Sequence, residues 1–357
     1  VIYIINNKWF HNEKVILLYF GIINFFFNRY SHLAKFIIIW IIIVGMSFIF
    51  YESYSCYLAN SIFLINPHWI TGFFEGESSF TVNFVKSAKY RTGWFIQLNF
   101  SIGLHKKDKA ILEQIKSYLG VGEISKQGHE AVRFRINSIQ DFSLLIDHLE
   151  KYPLITQKRV DYLLWKQIVE IMQKKEHLTR EGLEKIVALK AGLNWGLSSD
   201  LKAAFPYINP VKRPRIKDPQ ILDPQWLAGF TSAEGCFLVS IYNSKTNLGV
   251  AVKLIFQITQ HIKDELLLKS FIEFFSNRQC GNIVKDRETY HYRITKFIDI
   301  YEIIIPFFKK YPVIGVKSKD FQDFCVVADL MKEKKHLTPE GLEQIRNIKR
   351  GMNTGRI

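Results

Sequence analysis

Disulfide chemistry and zinc binding are what this sequence has least means for. Its 357 residues contain four cysteines, Cys56, Cys236, Cys280 and Cys325. None forms a CxxC pair or sits at ligand spacing from a histidine, so neither a disulfide framework nor a zinc site is supported. Reduced thiols of an intracellular protein are expected. The first 60 residues, rich in Ile, Phe, Asn and Tyr, lack the small-residue cleavage pattern of a secretory signal. The uncharged stretch FIIIWIIIVGMSFIFY (36–51) has 16 residues, short of the ~20 that a helix needs to cross a bilayer. It leaves membrane association of that segment open. Acidic residues are in deficit, with 33 Asp and Glu against 48 Lys and Arg and a formal net charge of +15. That excess points to a polyanion or an acidic membrane as partner and is silent on fold.

What the sequence does have is a duplication. The chain is long enough for two cores, and KYPLITQKRVDYLLWKQIVEIMQKKEHLTREGLEKIVALKAGLNWG (151–196) aligns without gaps on KYPVIGVKSKDFQDFCVVADLMKEKKHLTPEGLEQIRNIKRGMNTG (310–355), with 20 of 46 positions identical. Upstream, NFSIGLHKKD around His105 matches IFQITQHIKD around His261, and WITGFFEGESSF matches WLAGFTSAEGCF. Residues 66–357 are therefore two copies of one unit. Between the copies, 197–223 carries four prolines and scattered basic residues. It reads as a linker whose charge is free to touch phosphate.

Periodicity gives the order of elements. After a short helix at 69–77, Phe80, Val82 and Phe84 alternate with Thr81, Asn83 and Val85, the period of a half-buried strand. Phe237, Val239 and Ile241 repeat the pattern against Leu238, Ser240 and Tyr242. A second strand, Trp94–Leu104, puts Phe100 and Ile102 opposite Gln97, Asn99 and Ser101. Ile111, Leu112, Ile115 and Leu119 then form a helical stripe. In VRFRIN the faces separate Val132, Phe134 and Ile136 from Arg133, Arg135 and Asn137. Val160, Leu164, Ile168, Ile171 and Met172 mark a closing helix, and Thr338-Pro339-Glu340 has the chemistry of a helix start.

The residue pattern that bears on chemistry is Ile70-Thr71-Gly72-Phe73-Phe74-Glu75-Gly76-Glu77 and its counterpart Leu227-Ala228-Gly229-Phe230-Thr231-Ser232-Ala233-Glu234. Small residues four apart let two such helices approach closely. If they pack on those faces, Glu77 and Glu234 meet, and two carboxylates at close quarters call for a cation such as Mg²⁺. These segments resemble the paired motifs of LAGLIDADG homing endonucleases, of the single-chain, two-motif, organellar intron-encoded type, over roughly residues 66–357.

The resemblance implies an α+β fold of two pseudo-symmetric halves of αββαββα type, each with a curved antiparallel sheet forming a DNA-binding saddle. The expected organisation is a hydrophobic extension over 1–60 outside the enzyme, halves at 61–196 and 224–357, and the linker at 197–223. It implies that Glu77 and Glu234 ligate metal, that Gly76 and Ala233 offer backbone carbonyls, and that Lys158 and Lys317 neutralise the phosphate or orient water. Gln260 matches a water-positioning glutamine, where the first half has Leu104. Ser78 replaces the glycine that Gly235 retains, and its Cβ is expected to tighten the turn and shift Glu77. His105 and His261 read as caps rather than catalysts.

Outward strand positions are the candidates for reading bases. In the first half they are Thr81, Asn83, Gln97, Asn99, Ser101, Arg133 and Arg135. In the second they are Ser240, Tyr242, Ser244, Lys253, Gln257, His291 and Arg293. These differ between the halves, so a non-palindromic double-stranded DNA target of about two helical turns is expected. The implied activity is magnesium-dependent hydrolysis of both strands by a monomer in the mitochondrion. The competing reading is an RNA maturase that assists splicing of its host intron.

Overall fold

Two helices with matching ends organise the molecule, in a computed structural model that describes residues 65–194, 196–245, 247–275 and 280–356. The extension 1–60 and its apolar stretch 36–51 lie outside the described residues, among which no helix is long and apolar enough to cross a membrane. Helix α1 (Pro67–Glu77) begins where the Asn66 side chain accepts a hydrogen bond from the His68 amide at 2.8 Å. Its counterpart, called α7 below (Pro224–Glu234), begins where Asp223 accepts from the Gln225 amide at 2.7 Å. In both, a proline supplies the first helical φ at a position whose N–H would have no partner.

From α1 the chain runs directly into β1 (Ser78–Lys86) and β2 (Trp94–His105), then α2 (Lys109–Leu119), β3 (Glu123–Gln127) and β4 (Ala131–Ile136). Three helices close the half, α3 (Phe142–Lys151), α4 (Lys158–Gln173) and α5 (Arg180–Gly192). A short helix, α6 (Ser199–Ala204), interrupts what the sequence presents as a plain linker; Ser198 caps it by accepting from the Leu201 amide.

The second half repeats the order after α7 with β5 (Gly235–Asn243), β6 (Val250–His261), α8 (Glu265–Phe274), β7 (Asn282–Asp286) and β8 (Thr289–Ile294). It closes with α9 (Phe297–Asp299), a π-helical turn at Ile300–Ile304, α10 (Ile305–Lys310), α11 (Lys317–Lys332) and α12 (Pro339–Arg350). The expected cap at Thr338 is present, accepting from the Gly341 amide at 3.1 Å.

Each half thus holds a four-stranded antiparallel sheet, ordered β1-β2-β4-β3 and β5-β6-β8-β7. The outer strands β3 and β7 escape a reading based on alternation. Each buries only one side chain in part, Ile124 or Ile283, because an edge strand has little core to face. One face of the first sheet is covered by helices: Phe80 packs on Tyr162 and Trp165 of α4, and Phe100 on Phe74 of α1. The other face, with Thr81, Asn83, Gln97 and Asn99, is left open. The second half is built alike, with Phe237 against Phe308, Phe321 and Phe324.

The halves are joined where α1 crosses α7. A Cβ added to Gly72 would collide with the Trp226 carbonyl oxygen, and one added to Gly229 with the Trp69 carbonyl oxygen. The contact is therefore backbone on backbone and reciprocal, as the small-residue spacing leads one to expect. Because no relaxation of a side chain can make room there, Gly229→Ala should destabilise the protein by at least about 3 kcal/mol in urea denaturation. Gly103→Ala, where an added Cβ meets nothing within 4 Å, should leave the midpoint unchanged; equal effects of the two would refute the close crossing.

Candidate functional site

The crossing sets the distance between the two acids. Glu77 ends α1, Glu234 ends α7, and each is followed at once by the first strand of its sheet. Glu234 lies against the opposite helix, its Oε1 3.1 Å from where a Cβ on Gly76 would be. Alanine or larger at Gly76 would also strike the Ala233 methyl. Burial raises the pKa of both carboxyls above the ordinary value, and for Glu77 the nearby Glu234 charge adds to the rise. Gln260, on the helix-facing side of β6, hydrogen-bonds the Glu234 carboxylate and opposes it. Leu104, its counterpart beside Glu77, lines an open depression together with Glu77, His105 and Asp108.

The serine after Glu77 does not tighten the turn. Ser78 has φ −86°, ψ 156° and Gly235 has φ −78°, ψ 157°, the same extended conformation, open to any residue. What differs is the space. A Cβ at Gly235 would strike Thr231, whereas at Ser78 the place of Thr231 is taken by Phe74, whose carbonyl accepts the Ser78 hydroxyl at 2.6 Å. The expectation of a displaced Glu77 is therefore corrected.

Lys158 and Lys317 sit at the starts of α4 and α11 and reach under the motif helices. Lys158 Nζ donates to the carbonyls of Phe74, Gly76 and Ser78 at 3.0, 3.2 and 2.6 Å. Lys317 Nζ donates to Thr231 and Ala233 at 3.1 and 2.9 Å. Each ammonium thus caps the negative end of its own motif helix. Gly76 and Ala233, expected to offer carbonyls to metal, already accept one hydrogen bond each and keep one lone pair. Burial lowers both lysine pKa values, with carboxylates nearby pulling the other way.

Sequence reasoning missed the loops that carry these lysines. Glu75, at the sixth position of the motif, is buried and accepts from the amides of Ile155 and Thr156 and from the Thr156 hydroxyl, the last at 2.6 Å. Burial raises it to about 7. Ser232 stands at the same position in the second half, with one such bond, from the Ile314 amide at 3.1 Å. Asn194 and Asn353, both at positive φ, donate to the Phe80 and Phe237 carbonyls at 2.7 and 3.1 Å. Their identity in the aligned repeat was the available signal.

On the open faces the strand registers bring the predicted residues into rows. Thr81 stands beside Asn99, Asn83 beside Gln97, and Ser101 beside Arg135, while Arg133 stands beside Gly103. Asn99 donates to the Thr81 hydroxyl at 3.3 Å. In the second sheet Arg293 Nε donates to Gln257 at 2.9 Å, and His291 pairs with Thr259 at 2.8 Å, a neighbour the sequence reading passed over. Ser240 faces Lys253, whose Nζ lies 5.4 Å from the Tyr242 ring centre. Ser244 stands one residue beyond the end of β5. It follows β5 in the hairpin turn, its amide bonded to the Gly249 carbonyl at 2.9 Å, because Gly249 at φ +70° reverses the chain there. In the linker, the Arg213 guanidinium is committed to Asp161 at 2.7 Å and to the Gly192 carbonyl. His105 and His261 are caps as expected, each accepting the amide two residues on at 3.2 Å.

Two acids at the ends of crossed helices, beneath two open polar sheets, define the class of two-motif LAGLIDADG proteins. The family model described as LAGLIDADG endonuclease matches residues 70–169 and 227–328, and the chain belongs to that family. It is 40% identical over 308 residues to "Probable intron-encoded endonuclease 3" of Neurospora crassa, covering 85% of this chain and 57% of the relative. "Probable intron-encoded endonuclease 2" of the same fungus is 40% identical over 303 residues, covering 81% and 65%. The chain thus spans about three fifths of the length of these curated relatives. Among solved structures, I-SmaMI bound to cleaved DNA superimposes with a TM-score of 0.79 at 45% identity, covering 82% of this chain and 98% of that one. I-CpaMI bound to uncleaved DNA gives 0.78 at 42%, covering 81% and 99%.

Glu75 makes a pH dependence predictable. A carboxyl whose folded pKa is raised from 4.5 to about 7 binds more protons folded than unfolded between those values, so the stability it confers falls as pH rises through that window. Glu75→Gln has no such proton to lose. Measured by urea denaturation at pH 5 and pH 8, the wild type should lose about 2 to 3 kcal/mol relative to this variant. A constant difference would refute the buried protonated acid.

Proposed function

We propose that this protein is a site-specific endonuclease that cuts both strands of a long, non-palindromic DNA duplex with divalent metal, Mg²⁺ by preference. The observation that carries this reading is the convergence of Glu77 and Glu234 at the crossing of two duplicated helices, below two open sheets lined by hydrogen-bonding side chains. Residues 61–196 and 224–357 act as the two halves, with 197–223 between them and 1–60 outside the enzyme. I-SmaMI and I-CpaMI, both solved with DNA, support DNA as the partner and one chain as the working unit. Relatives named for introns, among them a protein of ND4 intron 1 in Podospora anserina and Cox1-I1b of Schizosaccharomyces pombe, support an intron-encoded, mitochondrial protein.

The donor set suits the metal. Two carboxylates and two carbonyls with spare lone pairs are hard oxygen ligands, and among the described residues no cluster of three or more His, Cys, Asp or Glu forms a closed site. Mg²⁺ is commonly held by one or two carboxylates and completes its shell with water and substrate phosphate. Glu77, Glu234, Gly76 and Ala233 would hold it, and its chemistry there is to stabilise the phosphate charge and acidify the attacking water. The chain's own residues do the rest. Lys158 and Lys317 fix the helix ends that present the acids and place positive charge beside the reacting phosphate. Gln260 orients Glu234 and offers its amide to a water there, whereas Leu104 offers nothing polar. A solved I-SmaMI variant has two lysines replaced by alanine, separated by the same interval as Lys158 and Lys317, which supports attention to this pair.

Base contacts come from Thr81, Asn83, Gln97, Asn99, Ser101, Arg133 and Arg135 on one sheet. On the other they come from Ser240, Tyr242, Ser244, Lys253, Gln257, His291 and Arg293. Both acids are retained and brought together, which supports cleavage above splicing assistance.

Glu234→Gln should abolish double-strand cleavage while target affinity stays within about tenfold, because ligation serves the reaction and the sheets serve binding. Cleavage of a plasmid carrying the target and a gel-shift titration read the two effects, and normal cutting by the variant would remove the acid from the site. Affinity should also fall with salt with a log-log slope near −5, for about six phosphates neutralised. A slope near zero across a salt titration would rule out a nucleic-acid partner.

A further inference from the structure

Each half reaches across to build the other's lysine site. Asp108, just after β2 of the first half, accepts a hydrogen bond through Oδ1 from the Val316 amide at 2.7 Å. Val316 immediately precedes Lys317 of the second half. The relation is reciprocal: Asp264 Oδ1, just after β6, accepts from the Gln157 amide at 2.8 Å, and Gln157 immediately precedes Lys158 of the first half. These aspartates close the duplicated HKKD and HIKD segments, whose histidines each cap the turn that follows.

Apolar packing follows the same exchange. Ile155 is buried in the core of the second half, and its counterpart Ile314 packs against the core of the first. Gly315 lies so close to Asp108 Oδ1 and Ile111 that any side chain there would displace them.

We propose that Asp108 and Asp264 are positioning residues acting in trans, each fixing the loop that aims the lysine of the opposite half. The backbone before each lysine is then held from the opposite half, while its ammonium is held by the motif helix of its own. The two sides are unequal. The loop before Lys158 is also held within its own half by three hydrogen bonds to Glu75, whereas the loop before Lys317 has only one, to Ser232. Lys317 therefore depends on Asp108 more than Lys158 depends on Asp264. The role of these lysines in cleavage rests on the function proposed above, but the cross-connection does not.

The test is amine labelling of the full chain without DNA, by reductive methylation and peptide mass spectrometry, in the wild type and in Asp108→Ala, Asp264→Ala and the two Asp→Asn variants. Asp108→Ala should raise labelling of Lys317 about tenfold, the scale of one lost buried hydrogen bond, and leave Lys158 protected. Asp264→Ala should raise Lys158 by a smaller factor and leave Lys317 protected. Both asparagine variants should label like the wild type, because Asn Oδ1 accepts the same amide hydrogen. The proposal is overturned if both lysines respond together, as general loosening would give, if the lysine of the same half responds, or if asparagine fails to restore protection. On strand-labelled DNA, Asp108→Ala should slow the strand that Lys317→Ala slows, and slowing of the other strand would overturn it too. A wild type that cuts no DNA would refute the proposed function while the labelling pattern still decides the cross-connection.

Discussion

Everything at the centre of this molecule depends on two helix backbones touching. Where Gly72 meets the Trp226 carbonyl and Gly229 meets the Trp69 carbonyl, the halves come as close as peptide units allow. That closeness has two consequences. It merges the halves into one unit, Ile65–Ile357, and it brings Glu77 and Glu234 near enough for their charges to interact. Dispersion between well-packed backbones stabilises the crossing, while burial of two like charges opposes it.

The lysines show how the same fold handles a further cost. A helix C-terminus leaves its last carbonyls without partners inside the helix, here beside a half-buried acid. Lys158 and Lys317 satisfy them from below, each ammonium accepting the role of a cap for the motif helix of its own half.

Departures from symmetry are where the halves have diverged in chemistry while keeping shape. Glu75 and Ser232 occupy one position of the motif, yet one is a buried acid with three hydrogen bonds and the other a hydroxyl with one to the corresponding loop. Gln260 and Leu104 differ likewise. The backbone tolerates these exchanges because the crossing and the helix caps, which are duplicated, already fix the frame.

Much of this was legible in the residues themselves. The period-two runs located β1, β2 and β4, and the alternation assigned their open faces, because burial of one sheet face selects apolar residues at every second position. The aligned repeat announced two equivalent halves, and small residues four apart announced the crossing. The edge strands β3 and β7 were not legible, since strands with little core to face carry no alternation. The sequence by itself determined the acids, the duplication and the frame, since each is a local pattern written within a dozen residues. Only the tertiary structure decided that Lys158 and Lys317 cap the motif helices and that Asp108 and Asp264 reach across the interface. These contacts join residues some 80 to 200 positions apart, and no local periodicity encodes which distant amide a carboxylate will meet.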